Sequence, residues 1–212
     1  MAAASVGAEA DRVIRVKQVH GRAVRVLRRG QVPPGAAAER PEADAIVSDV
    51  PGLVLAVVTA DCAPVLIADP ISGAAAAVHA GWRGVAGRVV WEAIRVMRET
   101  FGAEPPDLVA AVGPAIRPCC YEVDAGLMDA FVAAGESARN TDRWFSRVEG
   151  DPPGKMRLNV PGAIRDQLIW AGLKPASIAG SGVCTKCHPE VFESYRRDGA
   201  AAGRMAALIR VP

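Results

Sequence analysis

Histidine is nearly absent from this chain, with three residues in 212. A multicopper oxidase needs many more imidazoles than that, so counting excludes the class. Neither sign of charge is in excess: 25 Lys and Arg stand against 23 Asp and Glu, a net +2. That balance does not point to nucleic acid or to a membrane surface as partner, although single arginines remain able to hold a phosphate. No apolar run reaches the roughly 20 residues needed to span a bilayer. The first residues, Met1 to Gly7, lack both a basic stretch and a leucine-rich core, so they do not read as a secretory signal. Five cysteines, an odd number with a vicinal pair, do not form a disulfide framework, and reduced thiols are the simpler expectation. Together these absences predict a soluble, cytoplasmic protein.

Half of the chain is hydrophobic, enough for a sizeable core. Residues 1–11 are expected to be poorly ordered, with one domain over 12–212. Valine-rich patches predict strands around the Val19-His20-Gly21 turn, and residues 30–44 read as a surface loop. Gly52 to Thr59, Pro64 to Ala68 and Ala74 to His79 are candidate strands, which would bring Cys62 and His79 to strand ends in one sheet. Val85, Val89, Ala93, Met97 and Phe101 recur every fourth residue and predict a helix over 85–101, closed by Gly102. A strand follows over Leu108 to Val112. Asp124 is placed to cap a helix ending near Ala134, and Asn159 to cap another ending before Gly172. Ser177 to Val183 and Met205 to Val211 close the chain as strands. Strands mixed with a few helices, without strict alternation, predict an α+β fold.

Two of the three histidines stand in short motifs that frame a cysteine: Val19-His20-Gly21, Ala60-Asp61-Cys62 and Val78-His79-Ala80-Gly81-Trp82-Arg83-Gly84. Two imidazoles and a thiolate suit zinc and leave a tetrahedral ion one open position, the mark of a catalytic site. Such an ion brings the pKa of bound water to about 7, as in the zinc nucleobase deaminases. Asp61 reads either as a proton carrier beside that site or as a turn residue. The same ligands also suit blue copper, given an axial methionine; the nearest in sequence to His79 is Met97, in the helix stripe. A third reading keeps the site without metal, with Cys62 as nucleophile and His79 as base.

Gly81 to Gly84 opens the predicted helix, so its N–H groups and Arg83 could take an anion; a tight turn with a packed Trp82 is the plainer alternative. Tyr195-Arg196-Arg197 places a ring beside two guanidinium groups. Cys184-Thr185-Lys186-Cys187-His188 matches the pattern for haem attachment, but no export signal accompanies it. A structural zinc site would need four ligands, and no second Cys or His pair stands at a spacing to complete one. Cys119-Cys120 follows Gly113-Pro114 and Pro118 in an irregular loop.

Taken together, KQVHG (17–21), DAIVSDVPGLVLAVVTADCAPVLI (44–67), AAVHAGWRG (76–84), VGPAIRPCCYEV (112–123) and CT…VFESYRRDG…GRMAALI (184–209) resemble the YfiH-like family, once called polyphenol oxidase or laccase-domain proteins. The resemblance implies one α+β domain with mixed sheets packed as a sandwich flanked by helices. It implies zinc on His20, Cys62 and His79, with copper as the alternative ion. It further implies phosphorolysis of adenosine, inosine, guanosine and 5′-methylthioadenosine to free base and ribose 1-phosphate, alongside adenosine deamination. The expected residues are therefore His20, Cys62, His79 and Asp61 for catalysis, and Arg83, Arg196 and Arg197 for phosphate or substrate. The expected partners are nucleosides and phosphate, with the chain a monomer or homodimer. Family members usually carry an arginine- and glycine-rich segment and a Leu-Asn-Leu block before the KQVHG-like turn. Here the turn stands at residue 17, so that segment is expected to be missing, through a late start or a genuine shortening.

Overall fold

The computed structural model describes residue 7 and residues 9–31 and 39–212. Much of the 1–11 stretch and the middle of the 30–44 loop lie outside the described residues; Ala10–Arg12 forms a single 3-10 turn.

Six strands make the central mixed sheet. In spatial order they are β11 (Ile178–Gly180), β7 (Val109–Val112), β5 (Ala63–Ala68), β6 (Ala75–Ala80), β3 (Ala45–Ser48) and β2 (Val24–Leu27). A second sheet has β4 (Val54–Thr59) between β1 (Val13–Ile14) and β12 (Met205–Arg210). A third joins β8 (Glu122–Asp124), β10 (Lys155–Leu158) and β9 (Phe145–Ser146). The helices are α1 (Trp82–Ala86), α2 (Val89–Phe101), α3 (Leu127–Ala133), α4 (Ala138–Trp144), α5 (Val160–Trp170) and α6 (Tyr195–Asp198). The α+β class, with mixed sheets layered and flanked by helices, matches the expectation.

All six residues of β6 are buried, because both faces of the central sheet are covered. Successive side chains alternate. Ala76 and Val78 pack with Val85, Val89 and Met97 on the helical side. Ala75 and Ala77 pack with Ile14, Leu55 and Val57 of the smaller sheet. His79 continues the second series, so its ring points to the layer that carries β4. The β5–β6 hairpin sets Pro64 opposite His79, so Cys62, just before β5, reaches the same end of the sheet.

Two local expectations are corrected. The apolar stripe over 85–101 belongs to two helices, because Arg88 takes a left-handed conformation (φ 59°) after Gly87. Its guanidinium Nε donates to the buried Glu136 at 2.8 Å, which holds the break. Asp124 caps nothing: it ends β8 and pairs with Lys155 at 2.6 Å, and α3 starts after Gly126. Asn159 behaves as predicted, its Oδ1 accepting from the Gly162 amide at 3.0 Å, an N-cap contributing about 1 kcal/mol. Among the described residues, no helix is long and apolar enough to cross a membrane.

Candidate metal centre

His20, Cys62 and His79 meet. One ligand atom from each lies within 4.8 Å of the others. The two imidazoles contact edge to face, with ring centroids 4.8 Å apart. His79 is buried, Cys62 is half-buried and His20 is exposed, so the trio grades from the core to an opening.

Asp44 organises the site, and nothing in its own motif singled it out. Its carboxylate is fully buried. Oδ1 lies 2.8 Å from His79 Nδ1 and accepts from the His20 amide at 3.0 Å. Oδ2 accepts from the Gly21 amide at 2.6 Å and the Val19 amide at 3.2 Å. One side chain therefore orients one histidine and fixes the backbone turn of the other. A carboxylate behind a ligating histidine is a common feature of metal sites. With Nδ1 engaged, Nε2 is the His79 nitrogen left for a metal. The turn needs such fixing, because His20 adopts φ 60°, a left-handed conformation uncommon outside glycine. Gln18 adds a second tie, donating to Val58 O and accepting from Val58 N, both at 2.8 Å.

The charges follow from this packing. Burial pushes the Cys62 thiol up, but hydrogen bonds from His20 and then His79 outweigh it and bring it down to about 7. Burial pushes the His79 imidazole down, but Asp44 and then Cys62 raise it to about 9. Near neutrality the metal-free site thus holds a proton on His79 beside a partly ionised thiol, and a bound cation takes that proton's place. Alkylation of Cys62 by iodoacetamide in metal-free protein should accordingly rise with pH through about 7 rather than through the ordinary 9. Peptide mass spectrometry across pH 5 to 10 checks this; a midpoint at 9 would contradict it.

Gly81 closes the centre from behind. A Cβ built there would lie 2.9 Å from Cys62 Sγ and 3.0 Å from His20 Cδ2. The Gly81 to Gly84 stretch opens a single short turn, α1 (Trp82–Ala86), and not the long helix of the sequence expectation. Arg83 lays its guanidinium over the Trp82 ring, 4.4 Å from the centroid. Among the described residues it has no carboxylate partner.

A cavity of about 720 Å³ opens over the trio. Trp82, Tyr121, Tyr195 and Ile116 give it apolar and aromatic walls, and Arg83, Arg196 and Arg204 give it charge. The size falls within the range for small-molecule sites. The two arginines expected to act together are separated. Arg196 lines the cavity, stacks over Tyr121 at 4.9 Å and donates to Glu122 O at 2.5 Å. Arg197 is absent from the lining and is held by Asp198 and by Phe192 O at 3.1 Å. Arg204 was not singled out by its sequence context.

Asp61 lines the cavity, but both of its oxygens are engaged. Oδ1 accepts from Thr185 Oγ1 at 2.6 Å, and Oδ2 from the Arg196 amide at 2.6 Å and Ser194 Oγ at 3.1 Å. It ties the segment that carries Thr185, Ser194 and Arg196 to the loop before β5.

The donor set fits an ion with an open coordination position: two imidazoles and a thiolate, facing a cavity. Among the described residues no methionine lines the cavity, and Met97 lies on the buried face of α2, so no axial methionine of a blue-copper site is at hand.

The sequence matches, over residues 1–212, a family model described as multi-copper polyphenol oxidoreductase laccase. It is 41% identical over 209 residues to a purine nucleoside phosphorylase of Streptomyces coelicolor, covering 99% of this chain and 79% of that one. It is 34% identical over 204 residues to the purine nucleoside phosphorylase YlmD of Geobacillus stearothermophilus, covering 94% and 72%. The fold superimposes on the YfiH hypothetical protein of Bacillus licheniformis with a TM-score of 0.89 at 29% identity, covering 100% and 78%. On YlmD of Geobacillus stearothermophilus the TM-score is 0.86 at 32% identity, covering 99% and 77%.

Proposed function

The chain belongs to the multi-copper polyphenol oxidoreductase laccase family, and from that premise we propose that it is a zinc-dependent purine nucleoside phosphorylase with adenosine deaminase activity. The observation that carries the reading is the trio of His20, Cys62 and His79 at the wall of a nucleoside-sized cavity. Relatives named purine nucleoside phosphorylase support the substrate class. The oxidase in the family description finds no support in a chain with three histidines.

His20, Cys62 and His79 would hold zinc, which when bound supplies Lewis acidity and acidifies water near neutral pH. In phosphorolysis a phosphate oxygen bonds to C1′ of the ribose while the bond from C1′ to N9 breaks and its electron pair leaves with the purine. The residues of this chain contribute mainly placement and charge. Tyr195 offers an exposed flat face for a purine ring, beside Trp82 and Tyr121, which carry the guanidinium groups of Arg83 and Arg196. Arg83, whose guanidinium has no carboxylate partner among the described residues, takes phosphate, and Arg196 and Arg204 add positive potential. In deamination water replaces the 6-amino group of adenosine and ammonia leaves.

Replacing Arg83 with alanine should raise KM for phosphate about 10- to 100-fold, the worth of one charge-assisted contact of about 1.5–3 kcal/mol. KM for the nucleoside should move far less, and initial rates over a phosphate series separate the two.

The direct test supplies adenosine or inosine to metal-loaded protein with and without phosphate, with chromatography of the products. Adenine, hypoxanthine and ribose 1-phosphate should require phosphate, while inosine from adenosine should form without it. Absence of all products, or equal rates in His20→Ala, would overturn the proposal. A metal-free cysteine hydrolase is the second reading, favoured by the low-lying Cys62 thiol beside His79. Full activity in protein stripped of metal would select it.

A further inference from the structure

Four of the five cysteines lie outside the centre just described, and they too converge. Cys119, Cys120, Cys184 and Cys187 place their sulfurs within 4.8 Å of one another. Cys187 Sγ lies 3.4 Å from that of Cys120 and 3.7 Å from that of Cys119. A zinc–thiolate bond of about 2.3 Å implies edges of about 3.8 Å between sulfurs in a regular tetrahedron. The observed separations suit that figure and not a disulfide, whose bond is about 2.05 Å.

From this geometry we infer that Cys119, Cys120, Cys184 and Cys187 form a tetrathiolate site for a structural zinc ion. The sequence expectation that no second pair could complete such a site is thereby corrected. The missing pair is vicinal and 64 residues or more away, not a second Cys-x-x-Cys. The odd cysteine count resolves too: Cys62 belongs to the cavity, and the remaining four make a closed set of ligands. The haem pattern at 184–188 also loses its basis, since both of its cysteines turn towards Cys119 and Cys120, and His188 Nδ1 lies 3.0 Å from Cys184 O.

The backbone around the cluster is built for it. Residues 115 and 184 form a parallel bridge, with the Thr185 amide donating to Ala115 O at 3.2 Å. The amides of Cys120 and Tyr121 both donate to Arg117 O at 2.8 Å, a tight turn that presents the vicinal pair. The amides of Arg117 and Cys187 point at the Cys184 sulfur, the kind of N–H contact that supports a metal-bound thiolate. Arg117 also donates through its guanidinium to Gly182 O. Cys184 is buried, Cys120 half-buried, and Cys119 and Cys187 are exposed, so the site sits at the rim of the fold.

The ion would staple together two loops joined by the bridge between residues 115 and 184. One loop carries Ile116 and Tyr121 to the cavity, and the other continues to Tyr195 and Arg196. Binding exchanges thiol protons for the metal, so the contribution to folding grows with pH and is lost to a chelator. None of this depends on the activity proposed above.

The test counts metal by elemental analysis on protein purified anaerobically with zinc. Wild type should carry two ions per chain, and the double variants His20→Ala/His79→Ala and Cys119→Ser/Cys187→Ser one each. X-ray absorption at the zinc edge of His20→Ala/His79→Ala should then read four sulfur neighbours and no nitrogen, which does not require the cysteine variant to fold. The inference is overturned if that variant binds no zinc, if its zinc carries nitrogen ligands, or if mass spectrometry finds a disulfide between any two of the four cysteines.

Discussion

Asp44→Asn should be about 3–5 kcal/mol less stable than wild type in metal-free form, and should bind metal about 10- to 100-fold more weakly. The size follows from the number of donors. Three backbone amides and one imidazole converge on two carboxylate oxygens. An asparagine offers one oxygen and must turn its NH₂ group towards at least one of those donors. The carboxyl is also shifted: burial would raise it, but His79 and the amides of Gly21 and Val19 hold it below its ordinary 3.8. A depressed carboxyl stabilises the fold fully above the unfolded-state value and loses that contribution as pH falls through the folded-state value. The wild type should therefore lose stability below about pH 4 by an increment that Asp44→Asn lacks. Urea titrations at pH 7 and below pH 4 measure both terms. Equal stability at pH 7 would show that Asp44 does not organise the turn.

Gly81→Ala should abolish metal binding at the His20, Cys62 and His79 centre without removing a ligand. The added methyl would meet Cys62 Sγ at 2.9 Å, closer than packed atoms come, and the His20 ring at 3.0 Å, a contact that forces the ring to shift. The backbone at Gly81 is ordinary (φ −79°), so no conformational strain is added. Neither neighbour is a flexible chain end: Cys62 is tied to the start of β5, and His20 to a turn held by Asp44. The site should open, with the metal at this centre lost and activity down by a factor of about 100 or more. Far-ultraviolet circular dichroism should be retained. Full metal occupancy in this variant would mean that the three ligands have more freedom than their packing implies.

The contrast between these two residues and the three ligands indicates what was readable before the fold. His20, Cys62 and His79 announced themselves because imidazole and thiolate are scarce here and sit in distinctive motifs. The hairpin joining Cys62 to His79 was legible from its valine-rich runs and turn signals. Asp44 was not, because one aspartate among several before a strand carries no local mark, and its meaning lies in amides 23 to 25 residues away. Gly81 reads in the sequence as part of a tight turn or of an anion-binding helix start, and its role as space for two ligands appears only in three dimensions. The break at Arg88 was hidden because the four-residue apolar spacing runs across it without a fault. Arg196 and Arg197, adjacent in sequence, point different ways from a single helical turn, and only Arg196 lines the cavity. The cysteine tetrad escaped for a similar reason, since its halves lie more than 60 residues apart and neither half is sufficient alone.

Phosphorus NMR of inosine and phosphate incubated with the zinc-loaded protein tests the central claim most directly. Ribose 1-phosphate should appear as phosphate disappears, in step with hypoxanthine, and His20→Ala, Cys62→Ala and His79→Ala should each leave the phosphate signal unchanged. Hypoxanthine formed without loss of phosphate, or ribose 1-phosphate formed at the wild-type rate by any of the three variants, would contradict the account.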